Sequence, residues 1–266
     1  MATTNKTRHL SPASQIATIY ATELKRLIKA RKTLVLLGVQ LLPVLFAVIY
    51  IFFENIDGLS MFSENVEGVV FRFLIPLAAI FYGGPALVDE MEGRTLTYLT
   101  LRPVPKPALF IGKWLAGTTV AVGLVLLPVL LLLAVIAIAA GGAPGTSVTN
   151  VLQILAAAVL GTAAYTAIFA ALGAMVAKSL FAGVLYFVIV ELVFGTLPVL
   201  EVLAVRFHMR TAAGFGASDR LGVLERLILD EPLVFDWWIG LGVLGVIAGI
   251  AVAAGAFVFS NKQYHV

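Results

Sequence analysis

The 266-residue chain is 61% hydrophobic, and only 12% of its residues are charged, about half the charged fraction of a typical soluble domain. With a mean hydropathy of +1.02, this composition excludes a soluble globular protein and predicts an all-α membrane protein with several spans. The absence of cysteine excludes disulfide bonds and cysteine-ligated metal sites. The net charge of +3 lies beside apolar runs, so we ascribe it to orientation in the membrane and expect no nucleic-acid partner.

The N-terminal part, residues 1–32, is expected to be cytoplasmic and to contain an amphipathic helix at the membrane surface. Ser11 and Pro12 are typical of a helix start. Apolar residues then recur every three or four positions, and basic residues cluster towards the end, which predicts a helix lying on an anionic leaflet. The rival interpretation is the charged region of a signal peptide, but no clear small-x-small cleavage site follows the next apolar run.

The remainder, residues 33–266, contains six apolar runs of about the twenty residues that cross a hydrocarbon core. The predicted spans are 34–53, 69–88, 115–139, 151–176, 180–205 and 237–259. With the N-terminus inside, thirteen of the eighteen Lys and Arg residues fall on inner segments. We therefore expect a multi-pass protein of the cytoplasmic (inner) membrane with both termini in the cytoplasm.

A long polar stretch, residues 89–107, separates the second and third apolar runs. It starts with an acidic trio, continues through a short amphipathic pattern, and ends with Pro103, Pro105 and Pro107. This charge order suits a short helix at the membrane surface, and the prolines stiffen the chain before the next span. The simpler interpretation is a solvated loop whose positive charges keep it in the cytosol.

This stretch resembles the signature of type-2 ABC transporter permeases. The resemblance is carried by Glu90-Met91-Glu92-Gly93-Arg94-Thr95-Leu96, Leu99, Arg102-Pro103-Val104, Lys106 and Gly112-Lys113. Two features depart from the family pattern: Gly93-Arg94-Thr95 stands for the usual Arg-Gly-Thr, and Pro105-Lys106 for Ser-Arg. In that family the loop between the second and third spans is a cytoplasmic coupling helix that docks on a separate ATPase subunit.

The resemblance implies the permease subunit of an exporter, without catalytic residues, cofactor or metal of its own. The implied partners are two ATPase subunits that bind ATP and Mg²⁺, a second permease copy or a related permease, and the lipid membrane. Gly112-Lys113 lacks the upstream glycine of a phosphate-binding loop, so the chain is not expected to bind ATP in that manner. The residues expected to couple to the ATPase are Asp89, Glu90, Glu92, Arg94, Thr95, Leu96, Leu99, Arg102, Pro103 and Lys106.

Ionisable residues within the apolar runs are candidates for function, because a charge at bilayer depth is costly. Arg72 and Glu201 are both expected towards the outer side, where they could form an ion pair. Glu191 lies about 16 Å into the fifth span and has no evident partner, so it either lines a polar path or is a protonated packing residue. On the usual arrangement of the family, the candidate substrate path consists of Arg72, Phe73, Phe81, Tyr82, Tyr186, Phe187 and Glu191.

Two alternative functions stay open. The first is an ion-driven secondary transporter or channel, in which Arg72, Glu191 and Glu201 bind or relay ions without an ATPase. The second is a membrane anchor whose polar loop docks a partner that does not hydrolyse ATP.

Small residues and prolines predict where spans bend or approach each other. Gly83-Gly84-Pro85 should kink the second span at its inner end, and Pro198 should break the fifth. Close helix contacts are expected at Ala157, Gly161 and Ala164 and at the pair Gly245 and Gly249. The last outer segment, 206–236, is expected to be extracellular, with His208-Met209 at the surface and a short amphipathic helix through Leu221, Leu224, Leu227 and Ile228.

Overall fold

A computed structural model describes residues 11–51, 58–85, 105–139, 147–176, 178–197, 199–215 and 235–261. These ranges are helical and contain no β-strand. The helices are α1 (Pro12–Ile28), α2 (Arg31–Gln40), α3 (Leu42–Ile51), α4 (Gly58–Asn65), α5 (Ile75–Tyr82), α6 (Lys106–Ala139), α7 (Val148–Met175), α8 (Ser179–Tyr186), α9 (Val205–Ala212) and α10 (Trp237–Asn261). The π-helical segment Val66–Leu74 joins α4 to α5, and a second one, Phe187–Val193, continues α8.

Among the described residues, six helical stretches are long and apolar enough to cross a membrane, which confirms the predicted number. Spans 1 to 6 are Arg31–Ile51, Phe62–Tyr82, Lys106–Ala139, Val148–Met175, Ser179–Thr196 and Trp237–Asn261. Span 2 lies several residues earlier than predicted, because its helix stops before Gly83-Gly84. Span 3 starts at Lys106 rather than at 115, since Pro107 stands in the first turn, where a missing backbone N–H costs nothing.

Helix α1 has the predicted start and packs its apolar side against the beginning of α6. The Ser11 side chain accepts a hydrogen bond from the backbone N–H of Ser14. Leu27 is buried, and a Cβ atom on Gly112 would lie only 2.8 Å from Cγ2 of Ile19. The amphipathic helix is therefore anchored on span 3. We call this side of the bundle the α1 end.

Span 4 occupies the centre of the bundle and packs against spans 2, 3, 5 and 6. The small residues Ala157, Gly161 and Ala164 are all buried in it, as the spacing predicts. The other predicted contact is wrong within this chain: a Cβ atom on Gly245 or Gly249 would meet nothing within 4 Å, because this side of span 6 faces away from the other described helices.

Span 5 ends at Thr196, well before residue 205, and the predicted break at Pro198 explains why. Leu197 has φ −99° and ψ 131°, the extended geometry that a following proline imposes. Val199 then has a φ of 66°, which is uncommon for a β-branched residue. The chain therefore turns back, and α9 follows after a short 3-10 helix, Leu200–Leu203.

Candidate functional site

Span 2 breaks at the predicted glycines, at the α1 end of the bundle. Helix α5 ends at Tyr82, and the backbone N–H of Gly83 donates to the carbonyl of Ala79 at 2.7 Å. A Cβ atom on Gly83 would lie 2.7 Å from the carbonyl oxygen of Thr166 in span 4. On Gly84 it would lie 3.0 Å from Cβ of Ser179 in span 5. Only glycine fits here without displacing a neighbouring helix.

Two further glycines, on spans 3 and 4, pack against the backbone of the same segment. A Cβ atom on Gly117 of span 3 would lie 2.5 Å from the carbonyl oxygen of Tyr82, and one on Gly173 of span 4 would lie 2.7 Å from that of Gly84. We call the set Gly83, Gly84, Gly117 and Gly173 the glycine junction. It brings the end of span 2 into direct contact with spans 3, 4 and 5.

Span 1 joins the glycine junction through Tyr82. The Tyr82 hydroxyl donates a 2.7 Å hydrogen bond to Oγ1 of Thr33, and that oxygen donates in turn to the carbonyl of Leu27 in α1 at 2.6 Å. The Lys32 ammonium group lies 5.4 Å from the centroid of the Tyr82 ring. Helix α1 and the start of span 1 are thus connected to the end of span 2.

Of the expected coupling residues, Lys106 is described. It is the first residue of α6, and its ammonium group donates to the carbonyl of Ser260, near the end of span 6, at 3.3 Å. A cation at a helix C-terminus is favourable, so the polar stretch 89–107 has its Lys106 beside the end of span 6. The other expected coupling residues lie outside the described residues and stay predictions: Asp89, Glu90, Glu92, Arg94, Thr95, Leu96, Leu99, Arg102 and Pro103.

A second polar region surrounds α9, on the far side of the bundle from the α1 end. Glu191, in the π-helical part of span 5, is only 2% exposed. Its Oε1 accepts a 3.0 Å hydrogen bond from the backbone N–H of Val205, and its Oε2 accepts a 3.3 Å bond from that of Arg206. These are the first two N–H groups of α9, which its own N-cap residue, Ala204, leaves without a side-chain acceptor. Glu191 therefore caps α9 from another helix.

The side chains of α9 fix it to spans 2 and 5. Arg206 Nη2 donates to the carbonyl of Gly195 at 2.9 Å, and Arg210 Nε lies 2.6 Å from Oε1 of Glu67 in span 2. Burial lowers the pKa of Arg206, the nearby Arg72 and Arg210 guanidinium groups lower it further, and the Glu191 carboxylate opposes them. Among the described residues around α9, Arg210 forms an ion pair with Glu67. The expected ion pair between Arg72 and Glu201 is not present there.

The prediction that His208 and Met209 lie at the surface is wrong. His208 is 8% exposed, and Met209 is fully buried. His208 Nε2 donates to the carbonyl of Val202 at 2.8 Å, and the Met209 sulfur fills the space beside Gly161 of span 4. Residues 205–212 of the expected extracellular segment are therefore packed into the bundle, while Leu221, Leu224, Leu227 and Ile228 lie outside the described residues.

The expected path residues fall into separate groups. Phe73 and Phe187 form an edge-to-face pair with centroids 6.3 Å apart, and the Arg72 guanidinium lies 5.5 Å from the Phe73 centroid. Tyr186 packs instead against Phe169 of span 4. Phe81 and the buried Tyr82 lie at the α1 end beside Lys32, and Glu191 is enclosed under α9. The structure thus brings together three of the seven, all where spans 2 and 5 meet.

A comparison with protein families identifies a matching family. The sequence model described as ABC-2 family transporter protein matches residues 20–198, more than half of the chain. This range includes the second half of α1, spans 1 to 5 and the polar stretch 89–107. No curated protein matches the chain significantly.

Proposed function

The chain belongs to the ABC-2 transporter family, and from that premise we propose that it is the membrane subunit of an exporter driven by a separate ATPase. In this proposal two ATPase subunits bind ATP and Mg²⁺ and carry out the hydrolysis, while this chain has no catalytic role. A second permease copy or a related permease completes the path. The α1 end faces the cytoplasm, and the assembly lies in the cytoplasmic (inner) membrane.

The observation that carries this proposal is the glycine junction. The stretch 89–107 follows the junction by only a few residues and leads into α6 at Lys106. Because the carbonyl oxygens of Tyr82 and Gly84 lie against Gly117 and Gly173, the end of span 2 has no room to move alone. A displacement of the stretch by an ATPase would therefore be passed to spans 3, 4 and 5 together.

The middle of span 2 gives such a movement a place to act. Phe73 and Phe187 meet there at the surface of the chain, and both belong to π-helical segments, which are often found at functional sites. A second permease placed against spans 2 and 5 would enclose a path between the two chains. The substrate would pass along this path to the outside.

The ion-driven alternative is less well supported. It relies on Arg72, Glu191 and Glu201 to bind or relay ions, but both carboxylate oxygens of Glu191 accept backbone hydrogen bonds from α9. Taking this acceptor away would leave two helix N–H groups without a partner in a buried position. We therefore favour a structural role for Glu191 over a role in ion transport.

The test is co-purification with an ABC ATPase, which we expect to be encoded beside this chain, followed by ATP hydrolysis in lipid. We expect a stable complex whose hydrolysis falls several-fold in E92A, while membrane insertion and purification yield stay unchanged. The matched control is E64A, which removes an exposed carboxylate of α4 from the opposite side of the bundle. Failure of any ATPase to co-purify, or equal hydrolysis in E92A and E64A, would contradict the proposal.

A further inference from the structure

Arg72 lies at the midpoint of span 2, ten residues from Phe62 and ten from Tyr82. At a rise of 1.5 Å per residue this is about 15 Å from either end, close to the middle of a hydrocarbon core roughly 30 Å thick. A guanidinium group at this depth is expensive, and intramembrane charges of this kind mark substrate or ion pathways. Its position therefore requires a partner.

The three carboxylates of the polar region around α9 have surroundings other than Arg72. Glu67 is paired with Arg210, and Glu191 accepts the two N–H groups of α9. Glu201 lines a small cavity together with Arg206 and Arg210. Within the described part of the chain no carboxylate forms an ion pair with Arg72, and its buried Nε has no hydrogen-bond partner.

The environment of Arg72 is open towards the outside of the chain. The guanidinium group lies over the ring of Phe73, and Phe73 is 45% exposed. Phe187 touches this ring edge to face, and the neighbouring Val69 and Val188 are exposed as well. A cation without an ion-pair partner among the described residues thus borders an aromatic and aliphatic surface formed by spans 2 and 5.

We propose that Arg72, Phe73 and Phe187 form a binding site for an anionic amphiphile carried by the transporter. The phosphate or carboxylate group of this ligand binds the Arg72 guanidinium, whose planar set of N–H donors matches two oxygen atoms of such a group. The apolar part of the ligand packs on the rings of Phe73 and Phe187. This inference rests on the proposed function, since it names the chemical class of the substrate. The same headgroup chemistry also occurs in phospholipids of the membrane, so the test must distinguish the two sources.

The experiment uses the purified chain in phosphatidylcholine nanodiscs, without ATPase or ATP. A dodecyl phosphate with a photoreactive tail is crosslinked to the chain, and the labelled peptides are mapped by mass spectrometry. We expect labelling of spans 2 and 5 around Phe73 and Phe187, displaced by unlabelled dodecyl phosphate but not by dodecyltrimethylammonium. This arm needs no variant, so a folding defect cannot obscure it. Because it needs no ATPase, it succeeds or fails independently of ATP-driven export.

Variants then test the role of the guanidinium group. R72Q should weaken dodecyl phosphate binding by about tenfold, the usual effect of losing a hydrogen bond between charged groups, and R72K should retain part of it. The matched control R31Q, an exposed arginine at the start of span 1, should bind like the parent chain. Three results would overturn the site: labelling spread over all spans, equal displacement by dodecyltrimethylammonium, or labelling that is the same in R72Q as in the parent chain.

Nanodiscs of phosphatidylglycerol distinguish the two sources. Labelling that persists in this lipid supports a site for a transported molecule. Loss of labelling in phosphatidylglycerol, with binding retained in phosphatidylcholine, would overturn the assignment to cargo, and a phospholipid of the bilayer would then be the occupant.

Discussion

The Glu191 carboxylate accepts a hydrogen bond of 3.0 Å from the backbone N–H of Val205, and this contact joins span 5 to the start of α9. The same carboxylate also accepts the N–H of Arg206. Because α9 is further attached to span 2 by Arg210 and Glu67, the short helix connects the two spans that carry Phe73 and Phe187. Glu191 is therefore a positioning residue for the half of the bundle opposite the α1 end.

Replacing Glu191 with alanine should destabilise the chain. The change leaves two N–H groups of α9 without acceptors in a buried site, so we expect the free energy of unfolding to fall by about 1–3 kcal/mol. Thermal unfolding of the purified chain in detergent measures the effect. The control E64A should shift stability by no more than about 0.5 kcal/mol, and equal shifts in the two variants would exclude the capping role.

The number of spans and the break at Gly83-Gly84 follow directly from the sequence, because apolar run length and glycine pairs are local signals. The sequence carries no such signal for the partner of Glu191, because almost every residue has a backbone N–H group. The turn after Leu197 determines that the N–H groups of Val205 and Arg206 are the ones that reach the carboxylate. The burial of α9 has no local signal for a related reason. Its Arg206 and His208 look like surface residues, but the carbonyl groups of Gly195 and Val202 accept hydrogen bonds from their side chains.

The hydrogen bond between Tyr82 and Thr33 should contribute about 1 kcal/mol. A double-mutant cycle with Y82F and T33V should give a coupling energy of this size, whereas T33V alone should cost more because it also removes the donor to Leu27. Chemical unfolding of the four proteins provides the energies. T33S, which keeps the hydroxyl group, should behave like the parent, and strictly additive effects of Y82F and T33V would rule out the link between spans 1 and 2.

Gly173 should not tolerate alanine. The new Cβ atom would lie 2.7 Å from the carbonyl oxygen of Gly84, and overpacking of this kind typically costs about 1–3 kcal/mol. The matched control is G249A in span 6, where a Cβ atom meets nothing within 4 Å and alanine should be neutral or stabilising by up to about 1 kcal/mol. Melting temperatures of both variants in the same detergent test the difference, and a G173A variant as stable as G249A would contradict the close packing of the glycine junction.

His208 should make the chain less stable in mild acid. Burial lowers the pKa of His208, and the hydrogen bond to Val202 opposes this shift only partly. The folded chain therefore keeps the ring neutral while the unfolded chain takes up a proton. The free energy of unfolding therefore keeps its full value above the ordinary histidine pKa of about 6.5 and decreases as the pH falls below it. The decrease is at most about 1.4 kcal/mol per pH unit.

The measurement for His208 is the melting temperature at about pH 7.5 and about pH 5.5, a window in which histidine is the side chain that normally titrates. H208Q keeps a donor for the Val202 carbonyl but does not titrate, so it should lose most of the difference between the two conditions. The other two histidines, His9 and His265, are present in both proteins and serve as the internal control. An equal acid sensitivity of H208Q and the parent chain would show that His208 does not sense the pH.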